Sequence, residues 1–186
     1  MRFWANLIGY QIVWFAAVIG ASRGSPWPGL TLAAVFVLGQ AWISANRRAD
    51  LRLVAVALCC GVALDGVLAA GGWARYAASW PALPVGGAPV WILALWASFA
   101  MTFNHSLRYL RDRPALGALL GLAGGPLAYW GAGKTWGAIQ FAEPVWRGLA
   151  WLALGWALAM FLLCKLAGRW DRHSRLRASL AAGAAR

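Results

Sequence analysis

The sequence predicts an all-α integral membrane bundle of six transmembrane helices, with N-terminus and C-terminus both cytoplasmic. Three observations carry that reading. Long apolar stretches fill the chain, charged residues fall between them, and the charge is heavy in every second gap. The 186 residues are 62% hydrophobic and only 12% charged, too little polar surface to cover a water-soluble domain. Roughly 20 apolar residues cross a bilayer core, so six crossings leave no room for a soluble domain. The chain reads as a six-span domain over 1–168 and a basic cytoplasmic tail over 169–186.

The first span is 3–21. It is too long for the apolar core of a signal peptide and carries Asn6 and Gln11, so it reads as a retained helix. Pro26 and Pro28, which cannot continue a helix, close the turn after it. The second span, 30–45, is short and runs into Arg47 and Arg48. The third is 51–72. The segment 73–88, with Trp73, Tyr76 and Trp80 among prolines and glycines, reads as lying in the membrane interface, where aromatic rings prefer to sit. Pro89 opens the fourth span, 89–110, at a position where its missing N–H costs nothing. The fifth span begins at 115 and fades near 133. Residues 131–143 fit an outer loop, a re-entrant piece or a continued helix. The sixth span is 144–166, and the basic tail behind it suits a membrane surface.

Charge sets the orientation. Arg23, Arg75, Lys134 and Arg147 fall on one side, and the other 13 of the 17 basic residues fall on the side of the termini. Basic residues stay cytoplasmic in short loops, so both ends lie there, which demands an even number of spans. The net charge of +12 therefore reads as topology and attraction to anionic lipid rather than nucleic-acid binding. Cys59, Cys60 and Cys164 lie inside spans without metal-site spacing. No metal or cofactor motif is present, and no catalytic signature compels an activity.

Asp65 is the sharpest candidate. No charged residue lies between it and Arg52, and a carboxylate in hydrocarbon costs about 2.5–3.5 kcal/mol on insertion scales. It must face the bundle interior, either as a structural hydrogen-bonding lock or as a functional group. Gly61, Asp65 and Gly72 share a helix face that admits a close neighbour. In the fourth span Trp91, Leu95, Ser98, Thr102, His105 and Tyr109 recur at helical spacing, with Asn104 and Ser106 beside His105. This stripe is either interhelical glue or the wall of a groove with His105 as acid or base. By depth, Asp65 and His105 are about 13 Å apart at 1.5 Å rise per residue, so two polar clusters are expected rather than one dyad. Tyr129, Ser98 and Lys134 fall nearer Asp65, whereas Asn6 and Gln40 fall nearer His105. The catalytic candidates are thus Asp65, Ser98, Thr102 and His105; the ligand-binding candidates are Asn6, Gln11, Asn104, Tyr129 and Lys134. The pairs Gly121/Gly125 and Gly133/Gly137 permit close helix contact and offer a homo-oligomer face. Membrane lipids are the expected partners.

Two stretches carry a resemblance. One is Trp4-Ala5-Asn6-Leu7-Ile8-Gly9-Tyr10-Gln11. The other runs from Pro89-Val90-Trp91 through Trp96, Ser98, Thr102 and Ser106 to Gly124-Gly125-Pro126-Leu127-Ala128-Tyr129, with Asp65 between the two. Together they resemble a family of uncharacterised multi-pass inner-membrane proteins of proteobacteria, known only as a domain of unknown function, up to about Phe141. The family has no established activity. The resemblance implies the bacterial inner membrane and, since such genes lie near those of cyclopropane-fatty-acid-synthase-like enzymes, an accessory role beside lipid-modifying enzymes or in envelope stress. The residues themselves leave two alternatives open, an intramembrane lipid-modifying enzyme and a small transporter.

Overall fold

A computed structural model of the protein describes the backbone of residues 2–184 and the side chains of 3–173. Six α-helices lie within the described residues: α1 (Arg2–Ser22), α2 (Trp27–Ile43), α3 (Arg47–Ala70), α4 (Val90–Ala100), α5 (Pro114–Trp136) and α6 (Val145–Ala184). Four stretches of helix, Phe3–Ser22, Arg47–Ala70, Pro114–Trp136 and Val145–His173, are long and apolar enough to cross a membrane. Helix starts follow local chemistry. The Asn46 side chain accepts from the Ala49 N–H to cap α3, and Pro114 sits in the first turn of α5, where no N–H is needed.

Small residues bring the helices together. A Cβ on Gly29 of α2 would lie 2.6 Å from Ala17 of α1, and one on Gly155 of α6 would lie 2.0 Å from Leu64 of α3. Along α5, Gly117, Gly121 and Gly125 face α6, where added Cβ atoms would meet Cys164 Sγ at 2.6 Å, the Trp156 carbonyl at 2.4 Å and the Trp156 ring at 2.4 Å. The Gly121/Gly125 pair is therefore consumed inside the chain and is not free for a second copy. Gly124-Gly125-Pro126 does not interrupt α5, which runs unbroken through Pro126.

The segment 131–143 is part helix and part strand. Helix α5 continues to Trp136, Gly137 takes a left-handed conformation (φ 68°) that closes the helix, and β4 (Ile139–Phe141) follows. Strand β4 pairs antiparallel with β1 (Ala74–Tyr76). A small hairpin of β2 (Ala82–Leu83) and β3 (Ala88–Pro89) lies beside it in sequence. The β1–β4 pair ties the α3–α4 and α5–α6 connections together at the arginine-poor end. Trp80 is exposed there as expected of an interfacial ring, but Tyr76 is buried and turns into the bundle. Gly72 lies past the end of α3 in a turn, so only Gly61 of the expected glycine pair shares the Asp65 face within the helix.

The largest departure from the sequence expectation is in the fourth span. Helix α4 has 11 residues, about 16 Å at 1.5 Å per residue, or half of a bilayer core. Residues 101–107 form turns, and a short 3₁₀ helix (Arg108–Leu110) follows. Backbone released from a helix must find partners when water is absent. Here the Asn6 side chain of α1 donates to the Met101 carbonyl (3.3 Å) and accepts from the Ser106 N–H (3.3 Å) and Ser106 Oγ (2.6 Å). Arg111 Nε donates to the Phe103 carbonyl at 3.1 Å. Met101, Thr102, Phe103 and Ser106 are all buried. Helix α6, at 40 residues, runs without a break to Ala184, into the stretch read as a basic tail.

Candidate functional site

Asp65, on the buried face of α3, accepts three hydrogen bonds from three other elements. Tyr76 Oη of β1 and Tyr129 Oη of α5 each donate to Oδ1 at 2.7 Å, and Trp96 Nε1 of α4 donates to Oδ2 at 2.7 Å. Asp65 is fully buried, and no cation faces it among the described residues. Three donors on one carboxylate replace the water it has lost. Burial and the neighbouring Asp65 hold the Tyr76 phenol well above the usual tyrosine range, so it remains a donor at physiological pH. Lys134 does not reach down to Asp65. It is exposed, with its ammonium 4.7 Å from the Trp130 ring centroid.

The seat for Trp96 is cut by glycine. A Cβ on Gly61 would lie 2.5 Å from the Trp96 ring. On its other face Trp96 stacks on Trp156 of α6, with centroids 4.2 Å apart and planes at 17°, and Gly125 lies beneath Trp156. Gly61, Trp96, Trp156 and Gly125 thus form one layer through α3, α4, α6 and α5, and the Asp65 bonds pin its edge.

Beside this layer is a cavity of about 280 Å³ lined by Tyr10 and Trp14 of α1, Leu95, Trp96 and Phe99 of α4, Gly124, Ala128 and Tyr129 of α5, and Trp156 of α6. The lining residues Leu120 and Gly124 are exposed, so the cavity opens sideways between α1 and α5. Tyr10 and Trp156 line it, and Trp156 Nε1 is buried without a hydrogen-bond partner among the described residues. Such a space suits an apolar chain with a few polar groups for orientation.

A second polar group lies at the arginine-rich end. Asp50, in the first turn of α3 and fully buried, accepts from Ser44 Oγ on Oδ2 and from Asn104 Nδ2 on Oδ1. His105 Nε2 lies 3.5 Å from Asp50 Oδ2. His105 therefore works with Asp50, not with Asp65. Asp50, Ser44 and Trp156 were not singled out by sequence reasoning, which read Tyr76 only as an interfacial ring and Trp96 only as part of the family resemblance. A usable signal for Asp50 existed: the chain has five acidic residues against 17 basic ones, and this one follows an Asn helix cap.

The remaining candidates separate from both groups. Ser98 Oγ donates to the Ala94 carbonyl at 2.9 Å and Thr102 Oγ1 to the Phe99 carbonyl at 2.6 Å. Both hydroxyls are spent on backbone carbonyls of their own segment. Asn6 supports the break after α4. Gln11 is exposed and makes no hydrogen bond among the described residues. Asn104 belongs to the Asp50 group and Tyr129 to the Asp65 group. No cluster of potential metal ligands occurs among the described residues.

Residues 3–162 match the family described as protein of unknown function DUF2878, and the chain belongs to that family. No curated protein and no solved structure is significantly similar to it.

Proposed function

We propose that this is a six-span protein of the bacterial inner membrane, both termini cytoplasmic, that holds a lipid chain in the cavity between α1 and α5 and acts as an accessory in membrane-lipid modification or envelope stress. The observation that carries the lipid-binding part is the sideways-opening cavity, lined almost entirely by aromatic, aliphatic and glycine residues. Four helices long enough to cross, with α2 and the broken α4 between them, support six spans. The alternation of arginine-rich and arginine-poor connections supports the orientation. The accessory role rests on the inner-membrane family resemblance.

Enzymatic use of Asp65, Ser98 and Thr102 is disfavoured because each side chain is already occupied by protein hydrogen bonds. A transport path is disfavoured because Trp96, Phe99 and Phe103 lie between the two polar groups.

The test is to fill the cavity without touching the packing. A Cβ at Gly124 meets nothing within 4 Å, and a non-glycine residue in a helix interior is worth up to about 1 kcal/mol. The expected outcome for Gly124→Phe is a folded protein, equal or higher in thermal midpoint, that copurifies with at least about tenfold less lipid by mass spectrometry. Undiminished lipid in a folded Gly124→Phe sinks the reading. Lipid profiles of a deletion strain then test the accessory role, and an unchanged profile removes it.

A further inference from the structure

A cleft of about 670 Å³ opens at the arginine-rich end, lined by Phe3 of α1, Gln40 of α2, Ser44–Asn46 after it, Asn104–Ser106, Arg108, Tyr109, Arg111 and Asp171. It is separate from the lipid cavity. We propose that this cleft binds a phosphate-bearing group, with the Arg108 guanidinium as its cation and His105 as a hydrogen-bonding partner held in place by Asp50.

The charges in the cleft are not equivalent. Arg111 is engaged twice, by the Phe103 carbonyl and by Asp171 at 3.2 Å, and that pair nearly cancels. Arg108 is exposed and makes no ion pair or hydrogen bond among the described residues. Its planar fork suits two oxygens of a phosphate. Asp50 cannot repel an anion in the cleft as strongly as its charge implies. It is fully buried, and Ser44, Asn104 and His105 all turn towards it. Two loops, 44–46 and 101–107, bring those three residues to one carboxylate, and the effect is to fix the imidazole.

The ring's orientation follows. His105 Nε2 is buried and directed at Asp50, while the side chain keeps 20% of its exposure and lines the cleft. The other edge of the ring is the one that faces a ligand. The Gln40 amide, free of hydrogen bonds among the described residues, adds a neutral donor on the α2 side. Phe3, Ile43 and Tyr109, all exposed apolar or aromatic side chains, surround the opening, as befits a site at the depth of lipid head groups. Asp50 is a positioning residue here, acting through His105.

The experiment uses the full chain purified in dodecyl maltoside. Retention of dioleoyl phosphatidate and of dioleoylglycerol is read by native mass spectrometry, and binding of inorganic phosphate by calorimetry. The expected result is retention of phosphatidate over dioleoylglycerol, reduced about tenfold or more by Arg108→Gln and untouched by Arg113→Gln, an exposed arginine outside the cleft. Inorganic phosphate binding alone, with the same dependence on Arg108, assigns the site to free phosphate; phosphatidate binding alone assigns it to a lipid head group. Equal retention of dioleoylglycerol, binding of neither phosphate species, or equal losses in Arg108→Gln and Arg113→Gln overturn the proposal. The role of Asp50 is read from the His105 ring ¹⁵N signal, identified by its loss in His105→Gln. Phosphate shifts it in the native protein, and Asp50→Asn abolishes the shift without loss of the folded state; an undiminished shift in Asp50→Asn removes the positioning role. Gly124→Phe leaves inorganic phosphate binding unchanged, so this site and the lipid cavity stand or fall separately.

Discussion

Asp65 and Asp50 lie on the same helix about four turns apart, both fully buried, and their surroundings could hardly differ more. Around Asp65 the donors are two phenols and an indole, carried by β1, α5 and α4. Each donor is a large rigid ring fixed by the packing of its own element, and none leaves the carboxylate an accessible edge. Around Asp50 the donors are a serine and an asparagine, with a histidine Nε2 3.5 Å away, all from two connections, and all three residues also line an open cleft. An acid answered by aromatic groups from distant elements is a lock. An acid surrounded by small polar groups from loops that themselves line a cleft is a holder for those groups. The residue type and the degree of burial are the same in both; the kind of donor and its exposure make the difference.

The comparison is broken most directly by removing each acid. Asp65→Ala strands two buried hydroxyls and an indole N–H, and is expected to cost about 3–5 kcal/mol, seen as a collapse of membrane abundance and thermal midpoint. Asp50→Ala, whose partners lie beside a cleft that admits water, is expected to cost roughly 1–2 kcal/mol. Equal losses in the two variants would erase the distinction between lock and holder.

Single donors sharpen it. Tyr76→Phe removes one of two hydrogen bonds to Asp65 Oδ1 while keeping the ring, for an expected loss of about 1–2 kcal/mol in denaturant titration in detergent. A Tyr76→Phe protein as stable as the native one would mean that Tyr129 and Trp96 suffice. The smallest effects are expected where the sequence offered candidates that neither acid uses. Gln11→Leu and Lys134→Gln should each change stability by under about 0.5 kcal/mol, and a larger loss in either would reveal a contact outside both groups.

Much of the frame was legible in the sequence because it is written locally. Apolar length, proline at helix starts and arginines between stretches mark the helices one at a time. Burial of Asp65 was legible for the same reason, since only flanking residues are needed to see it. Its partners were less so. Tyr129 follows from depth along its helix, but Tyr76 sits in a connection that reads as interfacial and reaches Asp65 only because β1 pairs with β4. The break after Ala100 was hidden altogether. Residues 89–110 carry a helical spacing of polar groups, and nothing nearby opposes a continuous helix; the groups that pay for the interruption, Asn6 and Arg111, include one from the far end of the chain. His105 was assigned to the right depth but without its acid, because Asp50 sat among arginines in what read as a loop.

The support for that interruption has an order in time. A ribosome delivers residue 6 long before residue 101, and chains fold as they are made. When the backbone of 101–106 arrives, the amide that receives it is already in place on α1. A rearranged gene that placed α1 last would present those carbonyl and N–H groups to the bilayer with no receiver, and quality-control proteases would meet the product first.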